Sequence, residues 1–410
     1  MAVSNTILTP TMVTRKALAI LHSKLNFIGS INRQYDDSYA KTGAKIGSTL
    51  KVRLPNEYTV RKNATLAAQD TNESSVDLVM ANQWGVDISF SSVELTLDLD
   101  DFAARVLEPA MAVLASNIEA EAIKMYVDVW NTVNTAGTDH PKNLSDWLAA
   151  RGRLNECLAP KDGNRFFALN SVAMAAIVDA LKGLWNPQAA ISDQFRDGVM
   201  GKAIGFTWLE NDLILRHTTG TRDNTTPLTD GAAAADQDGA KIHVDGLDDK
   251  CTIKKGDVFT IADVYAVHPE TKQSYGYLQQ FTVTKDVAVD SATGDADIEI
   301  SPAIVASGAK QNVSNKAADG KALTFIGDGN SRYAQNLAYH RDAFAFVTAD
   351  LEMPKGVDFA AREVYDGISM RIVRQYSISN DTFPCRIDVL FGCKAIRPQL
   401  ACRVQGKKNE

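Results

Sequence analysis

The chain has 410 residues, 45% apolar and 23% charged, with a formal net charge of −7. That is ordinary globular composition with enough apolar material for a sizeable core, and at roughly 150 residues per domain it predicts two or three structural units and excludes a disordered chain. The acidic balance, with no basic face or tail, excludes a protein that wraps nucleic-acid phosphates and leaves only weak, non-specific contact with DNA.

From Thr9 to Ile28 the apolar residues Val13, Ala17, Leu18, Leu21 and Leu25 recur at intervals of three and four, which predicts a helix with Thr11 or Thr14 as cap. Asn32–Lys45 is polar. Ile46–Leu54 alternates and stops at Pro55, which reads as a strand. Asn56–Ser75 is long and of mixed charge, and loops of that length are usually functional. Strands are expected at Val76–Met80 and Gly85–Phe90, so the region reads as a long hairpin with an exposed tip.

Pro109 suits the first turn of a helix, where its missing N–H is no loss. From Ala110 to Asn131 there is no Gly or Pro, and Met111, Leu114, Ile118, Ala122, Met125 and Val129 form one apolar stripe. At 1.5 Å per residue this predicts about 30 Å of helix. Further helices are expected at Ser145–Leu158 and Ser171–Trp185, with strands at Asn164–Leu169 and Trp208–Arg216. Gly220–Gly246, rich in Thr, Asp, Gly and Ala, reads as a linker.

Strand signals resume at Cys251–Ile253, Val258–Val267, Tyr275–Val287 and Asp297–Ile300, with tight turns at Lys255–Asp257 and Ala292–Asp295. This pattern predicts a small all-β module inserted between about Thr221 and Tyr333. Beyond it, Asn336–Val347, Tyr376–Ser379 and Cys385–Cys393 read as strands, the last with apolar and charged residues alternating through Arg386 and Asp388.

Catalytic constellations do not emerge. The histidines (His22, His140, His217, His243, His268 and His340) have neither HExxH nor zinc-ligand spacing, and no nucleophile elbow or phosphate-binding glycine loop occurs. Asp98, Asp100 and Asp101 read as a helix cap, with a metal or acid/base site as the alternative. His340-Arg341-Asp342 matches a kinase triplet in letters only. The cysteines, Cys157, Cys251, Cys385, Cys393 and Cys402, are odd in number without a CxxC pair, which predicts free thiols in a reducing compartment. Arg15 and Lys16 precede too short an apolar run for a signal peptide, and no run approaches the roughly 18 residues of a membrane span, so a soluble cytosolic product is expected.

The opening carries Leu8, Pro10, Arg15–Leu21, Leu25, Asn32, Arg33, Tyr35, Ile46, Gly47 and Leu50–Pro55, and these resemble the start of tailed-phage coat proteins. Asn336–Phe344 is similar to another stretch of the same group. The order of hairpin, long helix, mixed α/β segment and β module resembles the P22-like coat proteins. That resemblance implies an α+β Hong Kong 97-type capsid fold with an inserted β-barrel domain. It implies an N-terminal arm at residues 1–35, an extended loop at 36–90 reaching over a neighbouring subunit, and a peripheral domain at 91–149 with a spine helix at 109–131. It further implies an axial domain in two parts, 150–220 and 334–375, the inserted domain at 221–333, and final peripheral strands at 376–410.

The function implied is that of a major capsid protein, not an enzyme and without cofactor or metal. Its copies would assemble as pentamers and hexamers of an icosahedral virion shell in the host bacterial cytoplasm, enclosing double-stranded DNA without specific binding or any membrane. A scaffolding protein and a portal are implied as partners, and a decoration protein is possible. The intersubunit contact candidates are the charged residues of the extended loop: Arg53, Glu57, Arg61, Lys62, Asp70 and Glu73. Two other readings stay open: a nanocompartment shell with the same fold, and an α/β enzyme with a β accessory domain.

Overall fold

The structure is a computed structural model. It describes residues 14, 17–19, 21, 25–33, 49–61, 64–66, 68–69, 73–91, 108–135, 141, 143–181, 201–222, 227–231, 235–248, 251–289, 294–365 and 368–407. The acidic run at Asp98–Asp101, most of the polar stretch Asn32–Lys45, and the loop residues Lys62 and Asp70 lie outside the described residues. By contact density the chain divides into two units. One comprises 1–53, 75–122 and 344–396, and the other 54–74, 123–343 and 397–410.

In the first unit, Ala17, Leu18 and Leu21 are buried, as their spacing predicts, while Thr14, expected as a cap, is helical and buried. The short helix α1 (Asn26–Ser30) buries Phe27 and Ile28. The Phe27 amide donates to the buried Glu119 carboxylate (2.8 Å), and its ring meets Phe344 at 5.8 Å. Strands β1 (Thr49–Arg53) and β2 (Ser75–Val79) pair antiparallel from Thr49↔Val79 to Arg53↔Ser75. The helix α2 (Glu108–Ile123) buries Met111, Leu114, Ile118 and Ala122, as the stripe predicts.

The sheet of this unit is organised by one long strand, Thr382–Ala395. Strand β3 (Asn82–Ser91) pairs with it from Asn82↔Phe391 to Ser91↔Thr382. The strand Phe344–Ala349 pairs with its far end, Ile368–Arg374 with Cys385–Asp388, and Phe359–Tyr365 with Ile368–Arg374. Its alternating charges are used inside the sheet: Asp388 is buried and accepts from Arg371 (2.7 Å) and Arg386 (3.0 Å). Tyr376–Ser379, expected as a strand, instead forms the turn into Thr382–Ala395, held by Ser377 N–H to Thr382 O at 2.8 Å. Local alternation there reflects a hairpin end and not a ladder.

The second unit contains two larger sheets. The platform is built from β4 (Thr132–Thr135), β5 (Arg165–Leu169), β6 (Lys202–Ala203), β7 (Phe206–Glu210), β8 (Arg216–Thr218), Arg332–His340 and Ala401–Lys407. Its order runs β4, Ala401–Lys407, Arg332–His340, β5, β7, β6, with β8 also on Arg332–His340. Helices α3 (Leu144–Glu156) and α4 (Ser171–Leu181) accompany it. Trp147 of α3 is fully buried against Phe167 (5.5 Å) and Trp208 (5.7 Å), and Phe167 also meets Phe206 at 4.2 Å.

The other sheet is antiparallel. It is formed by β9 (Leu228–Thr229), β10 (Gly239–Asp245), β12 (Val258–Val267), β13 (Ser274–Val283), β15 (Ala296–Ile304) and β16 (Leu323–Phe325). The short strands β11 (Thr252–Ile253) and β14 (Val287–Ala288) pair beside it. Its core is Ile242, Val244, Phe259, Ile261, Phe281 and Ile298 with their neighbours. Strand β10 lies inside the stretch expected as a linker. Its polar composition conceals an alternation in which Ile242 and Val244 alone face the core.

Three further expectations are corrected. Asn336–Val347 is not one strand: Arg332–His340 becomes β17, a 3-10 turn at Arg341–Ala343 breaks the run, and Phe344–Ala349 becomes β18. Following these, β19 (Phe359–Tyr365), β20 (Ile368–Arg374), β21 (Thr382–Ala395) and β22 (Ala401–Lys407) complete the chain. Trp208–Arg216 likewise splits into β7 and β8. The long helix ends its α-helical course at Ile123, tightens to a 3-10 turn over Lys124–Asp128, and is extended by Val129. The carbonyls that would continue it are taken elsewhere. Val127 O accepts from Thr282 Oγ1 (3.0 Å) and Val129 O from Arg403 Nε (2.7 Å).

Gly85 of β3 tests the close packing along β21. A Cβ there would lie 2.4 Å from the Ile387 carbonyl oxygen and 2.5 Å from Asp388 Oδ1. Gly85→Ala is expected to destabilise the chain by about 1–3 kcal/mol, seen as a lower urea midpoint with unchanged slope.

Candidate assembly interface

The ladder between β1 and β2 ends where Leu54 N–H donates to Ser74 O at 2.8 Å. Beyond it the loop is pinned by its own side chains. Thr59 N–H and Oγ1 donate to Gln69 Oε1 (2.8 and 3.0 Å), and Gln69 Nε2 returns a bond to Thr59 O (2.6 Å). Arg61 Nη1 donates to the carbonyls of Ala64 (2.7 Å) and Thr65 (2.5 Å). Among the described residues the pinned loop presents three large apolar side chains: Val60 is 85% exposed, Leu66 82% and Tyr58 55%.

The charged candidates are distributed differently. Arg53 lies at the end of β1 opposite Ser75, and Glu73 just before β2, both exposed. Glu57 is exposed, and its charge acts on Lys272, whose ammonium donates to the carbonyls of Ala309 (2.6 Å) and Gln311 (3.1 Å). Burial lowers the Lys272 pKa and Glu57 opposes that shift. Arg61 serves the loop's own backbone. Tyr58, Val60, Leu66 and Gln69 are not among the candidates read from the sequence. Bulky apolar residues in a stretch otherwise expected to be solvated were the available signal.

The densest buried charges lie in the second unit. Asp257, in the turn before β12, is almost fully buried. It accepts from the amides of Lys254 (3.0 Å) and Gly220 (3.2 Å) and faces Arg222 Nε at 3.8 Å. His217 Nε2 lies 2.9 Å from Asp257 Oδ1, and His217 Nδ1 lies 3.3 Å from the Tyr126 hydroxyl. A carboxylate only accepts, so Nε2 carries the proton and Nδ1 takes the Tyr126 bond.

Beside them Arg403 of β22 is 0% exposed. It donates to Val129 O (2.7 Å), Gly256 O (2.8 Å) and Thr282 Oγ1 (3.2 Å), with its guanidinium 5.8 Å from the Tyr126 ring centre. Burial pulls its pKa down to about 10, against the fields of Tyr126 and Asp257, so it stays charged at neutral pH. All five side chains, Tyr126, His217, Arg222, Asp257 and Arg403, are buried. Among the described residues no three His, Cys, Asp or Glu side chains converge to hold a metal ion. His340 bonds Asp162 (3.1 Å) and the Asp342 amide (3.2 Å), a backbone-fixing role unrelated to the kinase triplet.

The whole chain, from residue 1 to 405, matches the sequence profile of the P22 coat protein, gene protein 5. The chain belongs to the P22 coat protein family. It is the major capsid protein of a tailed phage, and the resemblance read from residues 8–55 and 336–344 extends over nearly its full length. No curated protein matches it by sequence. Among solved structures the coat protein is similar to a chain of Mycobacterium phage Che8 (12% identity, covering 92% of this chain and 89% of that one, TM-score 0.45). It is also similar to the capsid of Ralstonia phage GP4 (8% identity, 93% and 88% covered, TM-score 0.47) and to the mature capsid of bacteriophage PhiM1 (10% identity, 88% and 82% covered, TM-score 0.40).

The buried cluster makes the coat protein's stability depend on pH. Burial pushes the Asp257 carboxyl up, but the His217 hydrogen bond, the Arg222 charge and the Lys254 amide outweigh it and hold the pKa below the ordinary value. A carboxyl depressed in the folded state stabilises the fold above its unfolded pKa, and that contribution is lost as pH falls through the folded value. Asp257→Asn is expected to cost about 3–5 kcal/mol at pH 7 by removing the buried negative charge that faces Arg222 and His217. The gap to the unmodified protein should narrow once pH drops below about 4, as measured by urea midpoints at pH 7 and pH 3.

Proposed function

We propose that this coat protein closes into an icosahedral shell of pentamers and hexamers around double-stranded DNA, and that loop 54–74 is a contact by which one copy grips the next. Ring closure requires heterologous contacts between unlike surfaces of identical chains. A loop extending past the end of its ladder, pinned internally and presenting Tyr58, Val60 and Leu66, supplies one half of such a contact. The family match over residues 1–405 carries the reading. The contact chemistry is apolar at Tyr58, Val60 and Leu66, with Arg61 and Gln69 holding the loop's shape.

Within this proposal the Hong Kong 97-type parts are an arm at 1–35, an extended loop at 36–90 and a peripheral domain at 91–149 and 376–410. An axial domain at 150–220 and 334–375 and an inserted β domain at 221–333 complete them. The antiparallel sheet with its own apolar core supports the last assignment. The chain's work is structural and not catalytic. Assembly takes place in the host cytoplasm with a scaffolding protein and a portal, and DNA is held by confinement, consistent with a net charge of −7.

Electron microscopy of the purified chain, alone and co-expressed with the phage's scaffolding protein, tests this. Closed particles are expected, and a monomer at high concentration under both conditions overturns the proposal. Leu66→Asp and Val60→Asp are expected to abolish closed particles while leaving the circular dichroism spectrum unchanged. Glu57→Gln should assemble normally. Fully burying one such apolar side chain contributes about 1.5–3 kcal/mol, so each Asp variant loses at least tenfold in subunit affinity.

A further inference from the structure

Strand β13 meets the platform twice, in two different ways. At its C-terminal end the contacts are dry. The Gln280 side chain brackets Thr132 as a neighbouring strand would, accepting from its N–H (2.8 Å) and donating to its carbonyl (3.0 Å). Thr282 Oγ1 donates to Val127 O (3.0 Å) and accepts from Arg403 Nη2 (3.2 Å). Both side chains are buried.

At the N-terminal end the contacts border solvent. Tyr275 OH donates to Glu156 O (3.0 Å) and Tyr277 OH to Glu156 Oε2 (2.7 Å), both at the C-terminus of α3. The two rings stack at 5.5 Å with an 8° interplanar angle, and the Arg153 guanidinium lies 4.1 Å from the Tyr277 ring centre. Arg153 and Glu156 are partly exposed. A crevice lined by Trp130, Arg153, Cys157, Pro269, Tyr275 and Gln279 opens beside this contact.

Between the two contacts the ladder is interrupted. Val258↔Thr282, Phe259↔Phe281 and Thr260↔Gln280 pair in regular register, and the next pair is Tyr265↔Leu278. Ile261–Val264 of β12 thus stand opposite Gln279 alone, with Asp263 at φ +64°. The platform-facing parity also flips. Residues 275 and 277 face α3, yet 280 and 282 face the platform while Phe281 and Val283 join the sheet's own core. In an unbroken strand alternate residues keep one face, so the alternation is broken between 275 and 280, where a second register shift separates Tyr265↔Leu278 from Val267↔Ser274 and Gly276 has φ +78°. A bulge of this kind is where a ladder bends most easily.

We infer that the antiparallel sheet of the coat protein is mounted on a hinge at Gln279, with Gln280 and Thr282 as the fixed pivot and the Tyr275–Tyr277–Glu156 contact as a releasable latch. A shell puts one sequence into several local environments, which requires an element with alternative arrangements of similar free energy. The latch is made by Tyr275, Tyr277 and Glu156, none of which belongs to the sheet's apolar core. The pivot cannot open without unpairing buried polar groups.

Amide hydrogen exchange on the full-length chain tests this, read in overlapping peptides across 274–278 and 280–283. Tyr277→Phe and Glu156→Gln each weaken the latch and are expected to speed exchange at 274–278 by about tenfold while leaving 280–283 at the unmodified rate. Gln280→Ala is expected to speed both. Equal acceleration of both segments by the latch variants overturns the hinge, because the strand then opens as one body. No acceleration at 274–278 overturns the latch. If Tyr277→Phe fails to accumulate folded, Glu156→Gln gives the same reading with no change in side-chain volume.

Discussion

The interaction on which the second unit depends is a guanidinium with nowhere to go. Arg403 is fully buried, and its bonds run to two backbone carbonyls and a threonine hydroxyl. Removing such a charge from water costs several kcal/mol, and only well-placed acceptors offset it. Each acceptor therefore fixes a piece of backbone. Val129 O holds the chain leaving the long helix, Gly256 O holds the turn before β12, and Thr282 Oγ1 holds β13. Gly256 itself has φ +92°, and a Cβ there would press on Val127 and His217 at 3.1 and 3.2 Å. Asp257 supplies the nearby negative charge, and His217 and Tyr126 orient it.

That constraint explains where the sequence was a sufficient guide and where it was not. The stripe Met111–Ala122 and the span Val258–Val267 were legible because burial there follows local periodicity. The end of the helix was not, because Lys124–Val129 carries good helical spacing and is overridden by bonds from Thr282 and Arg403, more than 150 residues away. Strand β10 was hidden by composition, with only Ile242 and Val244 marking its inner face. The break at Arg341–Ala343 divides a run that looks uniform because both of its halves are buried, β17 in the platform and β18 against β21.

The loop shows the same limit at the surface. Its charges suggested ion pairing across subunits, but charge is visible in a sequence while the use of a charge is not. Arg61 bonds the carbonyls of Ala64 and Thr65, and Val60 and Leu66 are exposed on the same loop. Exposed ion pairs contribute little in any case. For a shell in which every copy repeats the same contact, modest apolar burial summed over many interfaces is enough, and individually weak contacts allow misplaced subunits to leave. A sheet hinged at Gln279 fits the same requirement, since one chain then meets unequal neighbours without altering its core.

The central claim is that Arg403 welds the platform and the antiparallel sheet into one cooperative body. Urea unfolding of Arg403→Met tests it most directly, with fluorescence of the Trp147–Trp208 cluster reporting the platform and hydrogen exchange at Phe259 and Phe281 reporting the sheet. The account predicts coincident transitions in the unmodified chain, and in the variant two separated transitions with the platform lost first. Coincident transitions in the variant, within about 0.5 kcal/mol of the unmodified chain, would contradict it.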